Sequence, residues 1–191
     1  MKNIWMGCLF LFVCCVTTLG AEDAKKMDGV DKTNFTVHEA DGDGVFKLSD
    51  AKGKYVALHF LLKTACPYCI RHTIDYAWRA NEVPDAVHVF LKPDTDEEIK
   101  EWSVKLDQKN QSGENVADDL PVIYRDKEAA LAKAFDIPFG YKFHGQVVHY
   151  PALVILDPKG KEVFRYVGKN NGDRYDFDDF VTQIEALKKK K

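Results

Sequence analysis

Residues 55–62, YVALHFLL, form a nearly unbroken apolar run, and a C-x-x-C, Cys66-Pro67-Tyr68-Cys69, follows almost at once. A run of this kind suits a central strand buried on both faces. Pro67 fits the first position of a helix, where its missing N–H costs nothing. Ile70, Ile74, Ala77 and Trp78 then recur at helical spacing. A buried strand leading directly into a helix that opens on two thiols restricts the chain to an α/β architecture.

The rest of the pattern agrees. Segments 35–37 and 45–48 flank the turn Asp41-Gly42-Asp43-Gly44 and predict an N-terminal β-hairpin. Residues 87–91 predict a second buried strand, and 95–109 a helix with Thr95 and Glu98 in capping-box spacing. Residues 111–119 read as a polar loop, 121–124 as a short strand and 127–135 as a helix. Residues 137–148 read as irregular. Segments 152–156 and 162–167 predict a strand pair around Asp157-Pro158-Lys159-Gly160. A last helix buries Phe177, Phe180, Val181, Ile184 and Leu187. The expected fold is a mixed central sheet covered by helices on both faces, with the hairpin as an extension.

Five cysteines are present. Cys8, Cys14 and Cys15 lie in an N-terminal apolar stretch with Lys2 before it. Its strongly apolar part, 5–16, matches a signal-peptide core and falls short of the roughly 20 apolar residues of a membrane span. Residues 1–21 are therefore expected to be a cleaved leader, with cleavage after Gly20 or Ala21. Residues 22–34 are charged and read as a linker, and 35–191 as one domain. The expected location is periplasmic or otherwise extracytoplasmic, with membrane attachment only if the leader is retained. The formal net charge of -3 argues against non-specific nucleic-acid binding.

Removal of the leader leaves Cys66 and Cys69 as the only thiols. One pair provides no disulfide framework, so its role is reactivity or metal binding. Cys66 is expected at the helix N-cap, where unpaired N–H groups and the helix dipole favour thiolate. Cys69, one turn on and less exposed, is placed to resolve a mixed disulfide formed at Cys66. Pro67 and Tyr68 tune the balance between dithiol and disulfide. Lys63 is the expected electrostatic helper, with Arg71 as a second source of positive field.

On these residues the chain resembles the thioredoxin-like superfamily, in its exported redoxin (AhpC/TSA-like) branch. The likeness covers roughly 46–187. It rests on FKLSD at 46–50 with Gly53-Lys54, the buried strand, and the C-x-x-C. YPALVILD at 150–157 with Gly160, and Tyr166-Val167-Gly168, complete it. The resemblance implies a thioredoxin-like fold and a thiol–disulfide oxidoreductase without organic cofactor. It also implies a protein or small-molecule disulfide as substrate and an extracytoplasmic redox partner. By resemblance Pro151 matches a cis-proline facing the C-x-x-C, which leaves the Tyr150 backbone free to pair with an extended substrate. Pro151 and Tyr150 are thus expected substrate contacts, beside Pro67 and Tyr68. Two departures bear on substrate choice: Ala65 stands where Trp is common, and the spacing from Phe60 to Cys66 is one residue longer than usual.

Two other functions compete for the same residues. The stretch 166–174, YVGKNNGDR, is similar to peroxiredoxin-like redoxins. Peroxiredoxins place Thr or Ser three residues before the peroxidatic Cys, however, and Lys63 stands there, with Thr64 off by one. Cu(I) delivery could use Cys66, Cys69 and His144 or His149, but a lone C-x-x-C is half a zinc site, so no metal is expected. The EF-hand-like spacing around Glu39 to Asp50 is flanked by strand patterns and reads as a hairpin turn. His38, His59 and His88 read as ordinary surface or core.

Overall fold

Successive side chains of the central strand enter opposite cores, as an unbroken apolar run requires. In the computed structural model, which describes residues 30–40, 42–63 and 66–190, this strand spans Tyr55–Phe60 and every residue is buried. Tyr55 and Ala57 enter one core, and Val56, Leu58 and Phe60 enter the other. The expected leader and most of the linker, with Asp41, Thr64 and Ala65, lie outside the described residues.

In chain order the strands are β1 (Thr36–Glu39), β2 (Val45–Lys47), β3 (Tyr55–Phe60), β4 (Ala86–Lys92) and β5 (Ile123–Arg125). They continue with β6 (Phe139–Phe143), β7 (Gln146–His149), β8 (Ala152–Leu156) and β9 (Glu162–Val167). The helices are α1 (Pro67–Trp78), α2 (Asp96–Gln111), α3 (Ala130–Ala134) and α4 (Phe177–Lys188). The main sheet runs β2-β1-β5-β4-β3-β8-β9. β3, β4 and β5 are parallel, and β1, β2, β8 and β9 add on antiparallel. Residues of α1, α2 and α4 pack on one face, including Tyr76, Trp102, Phe177 and Phe180. Leu131 and Phe135, in and after α3, pack on the other face with Phe35 and Leu48. The mixed sheet with helices on both faces and the N-terminal hairpin are as the pattern requires. Among the described residues no helix is long and apolar enough to cross a membrane.

Local signals place several ends. Thr95 caps α2 through the reciprocal box, accepting from the Glu98 N–H while the Glu98 carboxylate accepts from the Thr95 N–H. Asp176 caps α4 by accepting from the Asp178 N–H. Three expectations need correction. Segment 127–135 is not one helix: a 3-10 turn at Lys127–Ala129 kinks into α3, with Glu128 at φ 57° and Ala129 at φ 53°. The buried face of α1 is Cys69, Thr73 and Tyr76, while Trp78 is 45% exposed. The segment read as irregular contains the hairpin β6–β7. Its period-2 pattern is masked because Phe139 and Val147 are exposed while Phe143 and Val148 reach the core.

The kink before α3 rests on one carboxylate. Buried Asp126 accepts from the N–H groups of Leu131 (2.7 Å) and Ala132 (3.0 Å). Asp126→Ala leaves two buried donors without a partner and is expected to cost about 2–3 kcal/mol, read as a lower urea midpoint with an unchanged m-value.

Candidate active site

The site forms where β3 ends and α1 begins. Cys66 is the N-cap of α1, and its sulfur accepts from the Cys69 N–H at 3.2 Å. Pro67 occupies the first helical position. The cap geometry expected from the sequence is therefore present, but the exposure is not. Both cysteines are unbridged, and both are 0% exposed. Pro67 and Tyr68 are the exposed neighbours, with Tyr68 46% accessible.

A residue given no role in the sequence reading holds the pair. The guanidinium of Arg174 donates from one nitrogen to Cys69 Sγ at 3.1 Å and to Cys66 Sγ at 3.5 Å. Arg174 belongs to a strap between β9 and α4. Asp173 ties the strap together by accepting from Lys169 N–H (2.8 Å) and from the Tyr166 hydroxyl. The Tyr141 hydroxyl, on β6, accepts from the Asn171 N–H at 3.0 Å. Tyr76, on α1, donates to the carbonyl of Tyr175 at 3.1 Å. Gly168 is required at the start of the strap, because a Cβ there would collide with the Asp173 carbonyl and press on Pro151. The only early sign of Arg174 was its place in the 166–174 stretch. Nothing local marks a cation that meets the thiols 105 residues away.

Burial and charge act on the two thiols together. Burial pushes the Cys69 thiol up. The hydrogen bond from Cys66, then the charges of Arg174 and Lys92, outweigh it and bring its pKa to about 6. Cys66 moves up instead, first through its hydrogen bond to Cys69, then through burial and the adjacent anion. The pair thus shares one proton and one negative charge, which the Arg174 guanidinium faces from a single nitrogen. Lys92 is buried at the end of β4, donates to the Leu62 carbonyl at 2.7 Å and pairs with Asp94 at 3.2 Å. Its ammonium lies 4.8 Å from the centre of the Trp102 ring. Lys63, the expected helper, adds instead to the field at Glu98, whose carboxyl is held low chiefly by the Thr95 N–H.

Pro151 and Arg174 line one small cleft with Leu61, His72 and Tyr166. The expected proline thus stands beside the site. All peptide bonds among the described residues are trans, including Tyr150–Pro151, which differs from the expected cis bond. The Tyr150 backbone is also engaged. Its N–H donates to the Pro138 carbonyl at 2.8 Å, and its carbonyl lies 2.7 Å from His149 Nδ1. The end of β7 and the residue before β6 supply those contacts, so the strand-pairing groups expected for an extended substrate are used internally. His149 is held in this way and His144 sits in the hairpin turn. Among the described residues no group of three or more potential metal ligands converges.

Behind α1 three imidazoles line up. His59 Nδ1 lies 2.9 Å from His72 Nε2, and His59 Nε2 lies 3.0 Å from His88 Nδ1. His59 stacks on Phe90 at 4.3 Å. His88 Nε2 is buried and has no hydrogen-bond partner among the described residues. Burial pushes all three down; the neighbouring imidazoles and Arg174 add to it at His59 and His72, and His72 falls to about 3. His59 and His88, read as ordinary residues from sequence, are members of a buried polar row.

A family model described as AhpC/TSA matches residues 29–163. No curated protein matches the chain. Among solved structures, the yeast mitochondrial 1-Cys peroxiredoxin is similar with a TM-score of 0.67 at 17% identity, covering 84% of this chain and 75% of that one. The exposed lipoprotein thioredoxin Etrx1 of Streptococcus pneumoniae gives 0.59 at 21%, covering 80% and 98%. MTB dsbF gives 0.58 at 19%, covering 84% and 99%. At these identities the structural likeness establishes the thioredoxin-like fold alone.

Proposed function

The chain belongs to the AhpC/TSA family, and from that premise we propose that it is a thiol–disulfide oxidoreductase acting outside the cytoplasm through Cys66 and Cys69. The observation that carries the reading is the single Arg174 nitrogen within hydrogen-bond reach of both sulfurs. It brings the two thiols to one point and stabilises one negative charge there. The leader-like residues 1–21 support the compartment, where a disulfide substrate is available.

Exchange starts from the pair carrying one proton. The Cys66 sulfur attacks a substrate disulfide RS–SR′ while its proton passes to Cys69. The substrate S–S bond breaks, a Cys66–SR bond forms and R′S⁻ departs. Cys69 then attacks Cys66, the Cys66–SR bond breaks, and the Cys69 proton leaves with the departing thiol RSH. The protein disulfide has lost two electrons and the substrate has gained them. Pro67, Tyr68 and Pro151 border the point of attack. Because neither sulfur is exposed, the strap carrying Arg174 must move for a substrate to enter.

Cys66→Ser is expected to abolish reduction of a model disulfide, whereas Cys69→Ser accumulates a mixed disulfide at Cys66, read by mass spectrometry. Turnover by Cys66→Ser, or trapping at Cys69 in the wild-type protein, would refute the assignment.

The family membership supports a second reading, reduction of a hydroperoxide. The Cys66 sulfur would take one peroxide oxygen to give sulfenic acid while its proton leaves with the alcohol, and the Cys69 thiolate would then form the disulfide and expel hydroxide, released as water with a proton from solvent. Lys63 in place of the expected Thr or Ser weighs against it. A second-order rate with hydrogen peroxide no faster than that of a free thiol removes it.

A further inference from the structure

Beside the dithiol, α1 and α2 enclose a groove that the chemistry above does not use. It is lined by Pro67, Ile70 and Arg71 of α1 and by Lys105, Gln108 and Lys109 of α2, with a volume of about 360 Å³. Small-molecule sites occupy about 300–1,000 Å³, so the groove is large enough to hold one. Pro67 and half-buried Ile70 supply an apolar floor. Three cations form the rim, and no carboxylate lines it. No acid reaches the groove itself. Asp75, one turn from Arg71, borders the neighbouring cleft, which Arg71 also lines and where its charge acts on Asp75, and Asp107 accepts from the Gln111 side chain at 2.8 Å. The other acids of α2 are Asp96, Glu97 and Glu98 at its start, where they complement the helix dipole, and Glu101, which does not line the groove.

We propose that this groove binds the carboxylates of an anionic disulfide of low molecular mass and delivers its sulfurs to Cys66. The groove opens at Pro67, the residue bonded to Cys66. Its rim of three cations matches a ligand with two or more carboxylates spread along a short chain. A small ligand is favoured over a folded partner because the sulfurs present no surface on which a protein face could press. Charge on a rim of this kind acts on encounter rate and substrate choice. It therefore selects among disulfides without altering the exchange at the sulfurs.

The inference rests on the thiol–disulfide reading and deepens it. Its test compares kcat/KM for glutathione disulfide, which is anionic, with that for bis(2-hydroxyethyl) disulfide, which is neutral. In the Lys105→Glu/Lys109→Glu protein the anionic-to-neutral ratio is expected to fall by about tenfold or more. In the wild type, raising salt from about 0.05 to 0.5 M is expected to lower the ratio as well. Lys105→Gln/Lys109→Gln should give an intermediate ratio, which separates charge from damage to the helix. If the wild type turns over neither disulfide, the oxidoreductase reading fails. If it turns over both and the charge reversal leaves the ratio within about twofold, only the groove assignment is overturned. A ratio that stays fixed while exchange with an acidic disulfide-linked peptide falls gives the groove to a polypeptide and overturns the small-molecule assignment.

Discussion

Replacing Arg174 with methionine is expected to slow disulfide exchange at pH 7 by about ten- to thirtyfold and to raise the first thiol pKa by about two units. Arg174 is the cation that touches both sulfurs. Without it, Cys69 retains the Cys66 hydrogen bond and the more remote Lys92, while burial still opposes its charge. At pH 7, midway between a pKa of about 6 and one about two units higher, the reduced form loses about 1.4 kcal/mol of stabilisation. A less stable dithiol anion makes the pair a weaker oxidant, so the reduction potential at pH 7 should move about 30 mV more negative. Absorbance at 240 nm against pH gives the pKa, and a glutathione redox buffer gives the potential. Arg174→Lys keeps the charge but cannot present two donors in a plane, and should recover part of the rate. An unchanged thiol titration in a folded Arg174→Met protein would mean that the guanidinium is only a structural tie.

Stability is expected to fall steeply as pH drops from about 6.5 towards 4.5, at up to about 4 kcal/mol per pH unit. The source is the row His88–His59–His72. Each imidazole is neutral in the fold because burial pushes its pKa down, to about 4 for His88 and about 3 for His72. In the unfolded chain each takes a proton near pH 6.5. Above that pH neither state binds the proton, and the row has no pH-dependent cost. Below it the unfolded chain gains protons that the native state refuses, until the folded values are reached. Asp126, pushed up mainly by burial, opposes the trend only weakly, as a single carboxyl. Net stabilities are commonly about 5–15 kcal/mol, so two pH units are enough to unfold much of the population. Urea midpoints at pH 7, 6 and 5 measure the slope, and His88→Leu should flatten it by about one proton. A change of less than one proton between pH 6.5 and 5 would show that the row is charged or solvated in the native state.

The fold was readable where a pattern had one physical cause. The run at 55–62 could only be a strand buried twice, and Pro67 and the Thr95–Glu98 box fixed two helix starts. Segment 137–148 was not readable, because its hairpin faces the strap and solvent and therefore lacks a period-2 pattern. The kink at Glu128–Ala129 depends on the Asp126 carboxylate finding two N–H groups after the turn, which no local propensity reveals. At the site, Cys66, Cys69 and Pro67 announced themselves through spacing. Arg174, Lys92 and the histidine row did not, since each acquires its role from residues brought together by the sheet. Local helix electrostatics pointed to an anion at Cys66, while the cations that act on Cys69 come from distant parts of the chain.

Arg174 reaches its sulfurs across 105 residues of sequence, which fixes when the chemistry can begin. During synthesis the C-x-x-C emerges long before the last strand and helix, and contacts of such sequence separation form late. Until they form, both cysteines are ordinary thiols with pKa values of about 8.5, sluggish towards oxidants. Reactivity is thereby withheld from the nascent and half-assembled chain, and the thiolate doubles as a stamp of finished assembly.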